Sequence, residues 1–125
     1  MRLLLDTHAF LWWLDDPALL AEEARLAIAN GRSSVYVSPV SFLEIAIKEA
    51  IGKLKIPGTF SDSLESCRFS ELPLTVAHAT ALRDLPSHHK DPFDRTLVAQ
   101  ARHEGLTLVS RDPQMKQYDV TVLAA

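Results

Sequence analysis

A single cysteine, Cys67, stands among the 125 residues, so no intramolecular disulfide can form. That absence leans towards a reducing, cytosolic setting. Cys67 lies between Ser66 and Arg68 with no adjacent histidine, and reads as a packing residue. Long apolar runs are also missing. Met1-Arg2-Leu3-Leu4-Leu5 reaches Asp6 too soon for a signal peptide. The stretch from Ala9 to Leu14 falls far below the ~20 residues of a membrane span. A soluble, cytoplasmic protein is the expectation. Nor is there an excess of positive charge: a net charge of −3 gives no global basic footprint for nucleic acid. Any phosphate-binding surface must then be local, or be made with metal ions. Repeats, low-complexity tracts and linkers are absent, so residues 1–125 are expected to form a single domain. A chain of this length buries about two-thirds of its unfolded surface.

What is present is ordinary for a globular fold, with 47% apolar and 23% charged residues. Short apolar segments at Leu3–Leu5, Ser34–Val37, Leu106–Ser110 and Val120–Leu123 read as buried strands. Between them, Pro17–Asn30 reads as a helix with Asp16 as N-cap and Gly31 as C-cap. Ser38-Pro39 opens a second helix that runs to about Ile51 and is ended by Gly52. Thr59–Arg68 and Thr75–Asp84 read as shorter helices, and Asp91-Pro92 opens a last one through His103 to Gly105. The alternation predicts an α/β sandwich with a mostly parallel central sheet flanked by helices. In such sheets, sites form outside the carboxyl ends of the strands.

Four acids bear on that edge. Asp6 and Asp112 each follow a strand, Asp94 sits in the first turn of the last helix, and Glu44 lies inside the apolar run "SFLEIAI". Each has an ordinary reading. Asp112 precedes Pro113 as an N-cap, Asp91-Pro92-Phe93-Asp94 resembles a capping box, and Asp6 could cap a segment beginning at Thr7. Ser41, Glu44 and Lys48 fall within about 60° of one another on a helix, and Lys48 is the favourable i+4 partner of Glu44. Against a merely solvated stripe, Val40, Phe42, Leu43, Ile45, Ala46, Ile47, Ala50 and Ile51 cover most of the circumference. A polar stripe that narrow must face a cleft or an edge, where a carboxylate needs a partner or a metal.

Taken together, the acids can converge on one spot, where they would repel and raise one another's pKa values. Divalent cations resolve that repulsion. Hard oxygen ligands without cysteine or paired histidine suit Mg²⁺ or Mn²⁺ rather than Zn²⁺. In a small soluble domain such a site points to phosphodiester chemistry.

The ordered motifs resemble a known family. Apolar strand–Asp–Thr appears at Leu3 to Thr7, Glu44 lies in an apolar helix, and Asp-x-x-φ-φ-Ala-x-Ala appears as Asp94-Arg95-Thr96-Leu97-Val98-Ala99-Gln100-Ala101. Apolar strand–Thr/Ser-x-Asp follows as Leu106 to Asp112. The chain resembles a PIN domain from Leu3 to Val122, and within that superfamily the VapC ribonuclease toxins of prokaryotic type II toxin–antitoxin systems. The resemblance implies a PIN-like fold and metal-dependent endoribonuclease activity, leaving 5′-phosphate and 3′-hydroxyl ends. It implies that Asp6, Glu44, Asp94 and Asp112 ligate one or two Mg²⁺ or Mn²⁺ ions, with Thr7 and Ser110 in support. Asp91 ranks below Asp94, as a helix cap or a ligand through water. A homodimer is implied, together with a VapB antitoxin whose tail covers the active groove, in a heterotetramer or larger assembly.

His88, His89, Lys90, Arg95 and Arg111 flank the third and fourth acids, where an RNA strand would approach, and could hold its phosphates. Solvated loop residues are the alternative reading. Phe10, Trp12 and Trp13 invite base stacking, but "AFLWWL" reads better as helix packing in the core or at a dimer interface. Three other functions compete. A phosphatase of the haloacid-dehalogenase type wants Asp-x-Asp after the first strand, where this chain has His8. A receiver domain is disfavoured because no acidic pair joins Asp6 and no suitable lysine follows a later strand. A non-catalytic PIN-like module that binds RNA or protein is the remaining alternative, although degenerate members lose acids from the quartet and this chain keeps them all.

Overall fold

Leu3, Leu4 and Leu5 have no exposed surface, which requires cover on both faces of the strand that carries them. The computed structural model, which describes residues 1–125, places this strand, β1 (Arg2–Leu5), at the centre of a five-stranded sheet. β2 (Ser34–Val37) and β4 (Thr107–Ser110) flank it, β3 (Ser70–Glu71) lies beyond β2, and β5 (Val122–Ala124) lies beyond β4. Every pairing is parallel. The expected sandwich is therefore found, with its sheet wholly rather than mostly parallel.

Side chains alternate across a strand, so β1 feeds two cores. Leu3 and Leu5 join Phe10, Val37, Phe42, Ile45 and Val109 on one face. Leu4 joins Leu97, Val98, Ala101, Leu108 and Met115 on the other. The first face is covered chiefly by α1 (Thr7–Asp15), α2 (Glu22–Ala29), α3 (Pro39–Ala50) and α4 (Phe60–Cys67), and the second by α5 (Val76–Arg83) and α6 (Pro92–Glu104). No helix is long and apolar enough to cross a membrane.

The helix starts follow their capping residues. The Ser38 hydroxyl accepts the Val40 N–H at 3.1 Å, with Pro39 in the first turn of α3. Asp91 does the same for α6, and Gly105 ends that helix in the left-handed conformation at φ 68°.

Two expectations are corrected. The helix expected over Pro17–Asn30 is broken into a 3-10 turn, Pro17–Leu19, and α2. Leu20 and Ala21 are extended between them because Leu20 is drawn into the core. Asn30, with extended dihedrals, takes the cap expected of Gly31. The second correction is an omission: β3 is two residues long and exposed, too brief for any apolar alternation to show.

Because β1 is followed by β2 on one side and β4 returns to its other side, the order reverses between β1 and β4, and the crevice opens at their carboxyl ends. Asp6 is the first residue past that end.

Candidate active site

Asp6 is 4% exposed. Its backbone N–H donates to Val109 O at 3.0 Å, pinning it beside β4, and its Oδ1 accepts the Ala9 N–H at 2.8 Å. The capping role is thus real and leaves the second carboxylate oxygen free of main-chain duty. Burial is the main influence raising its pKa, and the Glu44 carboxylate adds to it; the Ser110 hydroxyl, the Ala9 N–H and nearby His8 pull the other way. Ser110 Oγ also accepts the Asp112 N–H at 3.1 Å, so one hydroxyl serves both strand-end acids.

Glu44 is 7% exposed and its Oε2 accepts from Lys48 Nζ at 2.9 Å. The ion pair and the burial coexist. The helix carrying Glu44 is locked to α1 one turn earlier, where the buried Thr7 hydroxyl donates to Ser41 Oγ at 3.1 Å. Thr7 therefore acts through α3 rather than on a carboxylate.

Asp94 enters from the first turn of α6 and completes the cluster. Burial first, then the charges of Asp91 and Asp6 and, more weakly, Glu44, push it up to about 7 despite His89. These influences fix the arrangement: Asp6, Glu44 and Asp94 stand close enough to feel one another. Asp91 caps α6, its Oδ1 accepting the N–H groups of Phe93 and Asp94 at 2.8 and 3.2 Å.

Asp112 brings a carboxylate oxygen within 4.8 Å of one on Asp94 but is in the opposite electrostatic state. Burial alone would raise it, but the Gln114 N–H at 2.9 Å and the His89 ring more than offset this, holding the carboxyl below its ordinary value. His89 makes the join. Its Nε2 lies 2.8 Å from Asp112 Oδ2 and 3.1 Å from Asp94 Oδ2. Its backbone N–H donates to the Tyr118 hydroxyl at 2.8 Å.

The other basic residues divide. Arg95 spends its guanidinium on the carbonyls of Pro86 and Leu85, at 2.9 and 3.4 Å. Arg111 donates to Ala125 O at 2.9 Å and Leu19 O at 2.7 Å, and lies 3.9 Å from the centroid of the Trp12 ring. Both arginines are struts rather than groups aimed at the acids. Lys90 is exposed, and His88 packs edge-on against Tyr118 at 5.1 Å. Phe10 is buried against Phe42 and Phe69, and Trp13 packs on Phe69, as the packing reading expects.

Two contributors were not singled out in the sequence. Exposed His8 lowers the pKa of both Asp6 and Asp112, and a first-turn position on the helix that Asp6 opens was the available signal. Ser41 anchors α3, and nothing in its neighbourhood announces the partner Thr7, 34 residues away.

The donor set fits a hard divalent cation. It is dominated by carboxylate oxygens, and burial together with their repulsion already drives Asp94 towards the protonated form. One ligand atom each from His89, Asp94 and Asp112 lie within 4.8 Å of one another. A second group at that spacing, His78, His103 and Glu104, lies at the other end of α6. There the His78 Nδ1 accepts the Thr75 N–H at 3.0 Å, so its Nε2 carries the proton that meets Glu104 Oε2 at 2.8 Å.

Residues 3–120 match the PIN domain family. Ribonuclease VapC22 of Mycobacterium tuberculosis is 30% identical over 119 residues, which cover 92% of this chain and 90% of that one. Among solved structures, VapBC2 from Rickettsia felis, bound to a DNA fragment from its promoter, superposes with a TM-score of 0.75 at 14% identity, covering 99% of this chain and 98% of that one. VapBC-5 from Mycobacterium tuberculosis, of the VapBC family of toxin–antitoxin systems, gives 0.58 at 19% identity, covering 98% and 96%. These two likenesses bear on the fold, whereas the family match spans nearly the whole sequence and the ribonuclease relative nearly the whole of both chains. The chain belongs to the PIN-domain family, in its VapC branch.

Proposed function

We propose that this protein is a divalent-metal-dependent endoribonuclease, the toxin of a VapBC-type toxin–antitoxin pair, acting in the cytoplasm. The observation that carries the reading is the convergence of Asp6, Glu44 and Asp94 at the carboxyl edge of the sheet, where burial first and then the neighbouring carboxylates push Asp94 up to about 7. Such a cluster is poorly suited to a resting surface and well suited to a cation. The ribonuclease relative and the toxin–antitoxin neighbour supply the substrate class and the partner.

In this reading Asp6, Glu44, Asp94 and Asp112 hold one or two Mg²⁺ or Mn²⁺ ions, with Asp91 as an outer candidate. The bound metal would supply an activated water and neutralise charge on the scissile phosphate. The chain's own residues do the rest. Ser110 orients Asp6 and Asp112 together, and the Thr7–Ser41 bond keeps α3, and with it Glu44, at the edge. Lys48 and Lys90 give the rim positive charge, and His8 and His88 offer ring nitrogens, that can position the RNA backbone without reading its sequence. The products carry 5′-phosphate and 3′-hydroxyl ends. Arg95 and Arg111 contribute by holding the loop before α6 and the C-terminal residue in place.

The partners in this reading are a second copy of the chain and a VapB-type antitoxin whose tail covers the groove. Leu43, Ile47 and Ile51 recur every fourth residue from α3 into its C-cap and are 55%, 47% and 62% exposed. That stripe offers the apolar surface such a protein partner needs.

The test is RNA cleavage with Mg²⁺ or Mn²⁺, with and without EDTA, by wild type, Asp6→Asn and Glu44→Gln. Both variants are expected to lose at least ~100-fold, because even the supporting shell of a metal site is worth 10–100-fold. Equal cleavage by all three proteins would remove the assignment of the site, and cleavage in EDTA would remove the mechanism. Inactivity of wild type with retained RNA binding would favour a non-catalytic module.

A further inference from the structure

The ring of His89 lies between two of the proposed ligands, and its other nitrogen determines what it can do there. Nδ1 is 3.2 Å from the Asp91 backbone N–H, which can only donate, so Nδ1 is the acceptor and carries no proton. In the neutral ring the hydrogen is then on Nε2. That hydrogen meets Asp112 Oδ2 at 2.8 Å, and Asp94 Oδ2 lies 3.1 Å from the same nitrogen as an ion-pair contact. A nitrogen that presents a hydrogen has no lone pair for a metal. Moving the hydrogen to Nδ1 would set two donors, Nδ1–H and the Asp91 N–H, against each other. The backbone is held as well, by the Tyr118 hydroxyl at 2.8 Å, and the side chain is only 13% exposed.

Building on the metal site proposed above, we infer that His89 is a positioning residue that occupies the cation's place between Asp94 and Asp112 in the metal-free protein, and competes with the cation rather than ligating it. Its N–H bonds the carboxylate that follows β4, and the same nitrogen lies in ion-pair contact with the one from α6, so the ring fills the space a cation would bridge. The two acids are kept in register when no cation is bound. Loading the site on both carboxylates requires the ring to withdraw, and the affinity for metal is set lower by the bonds that are broken.

Isothermal titration of folded protein with Mn²⁺ tests this, comparing wild type with His89→Ala. The variant is expected to bind Mn²⁺ roughly tenfold more tightly, about the worth of one net hydrogen bond. A general structural role for His89 would weaken or leave unchanged the affinity, and either result overturns the inference while leaving the functional reading intact. Absence of Mn²⁺ binding in both proteins overturns both. Nitrogen-15 correlation spectra of the metal-free wild type give a measurement that does not depend on the variant folding. The proton is expected on Nε2 of His89, and a proton on Nδ1 overturns the inference.

Discussion

At its two ends α6 meets a histidine in nearly the same way. His78 takes the Thr75 N–H on Nδ1 at 3.0 Å and gives its Nε2 proton to Glu104 at 2.8 Å. His89 takes the Asp91 N–H on Nδ1 at 3.2 Å and meets Asp112 at 2.8 Å. Asp94 and Glu104 lie ten residues apart on α6, roughly 15 Å along its axis. What separates the two places is the balance of carboxylates and donors. At the Glu104 end one N–H meets one carboxylate, and the account closes as a strap between α5 and α6. At the Asp94 end the same kind of histidine lies against two carboxylates, and burial together with the charges of Asp91 and Asp6 pushes Asp94 up to about 7. A histidine beside a carboxylate does not mark a site. A surplus of negative charge over local donors at a sheet's carboxyl edge does.

Mn²⁺ should break the symmetry most visibly. With Mn²⁺ at ~100 times its dissociation constant, linkage predicts a gain of about 2.7 kcal/mol, read as a rise in Tm. Asp94→Asn should remove most of that rise. His78→Ala should destabilise the protein by about 1–3 kcal/mol, since it removes a buried ring with its bonds to the Thr75 N–H and Glu104, yet leave the rise intact. A Mn²⁺ response lost in His78→Ala and kept in Asp94→Asn would reverse the assignment of the two ends.

The pH response sharpens the contrast further. Asp94 has a folded pKa of about 7 against a reference of 3.8. The folded state therefore holds this proton more tightly than the unfolded state. The stability it contributes is fully present below the unfolded pKa and is lost as pH rises through about 7. Asp6 acts in the same sense. Asp112, held low, contributes with the opposite sign, and its stability is lost only as pH falls below the ordinary carboxylate range. Metal-free protein should thus lose Tm between pH 5 and pH 8, and Asp94→Asn should flatten the slope, as calorimetry would show. An unchanged slope would mean that Asp94 is neither desolvated nor crowded by its neighbours.

The smallest effect concerns Glu44. Lys48→Ala should cost ~1 kcal/mol or less, because an i,i+4 pair with a partly exposed lysine is weak. Chemical denaturation can resolve it, and a larger loss would make the pair, rather than the cleft, the reason for Glu44.

Much of the frame was legible because local chemistry decided it. Three consecutive leucines demand cover on both faces. Ser38-Pro39 and Asp91-Pro92 are start signals that need nothing from the rest of the chain. The meeting of Asp6 and Asp112 followed from parallel strands, whose ends share an edge. What stayed hidden depended on distant partners. Arg111 beside an acid reads as a phosphate contact until its Nη2 is found on Leu19 O, 92 residues away. His89 reads as one basic residue among five until the loop folds its ring between two carboxylates. Glu44 shows that the ordinary and the functional reading need not exclude each other, since the Lys48 pair and the burial are both present.

Trp12 adds an optical property to this site. Its ring lies under the Arg111 guanidinium, 3.9 Å from the centroid, and beside His8, 5.9 Å away. Arg111 immediately precedes Asp112 in the chain, and His8 follows Asp6 by two residues. The indole therefore sits between neighbours of two of the acids, whereas Trp13 packs on Phe69 in the core. The molecule carries one fluorophore beside the acids of the proposed site and a second packed on Phe69. Emission from Trp12 is expected to register movement of Asp6 or Asp112 without any label.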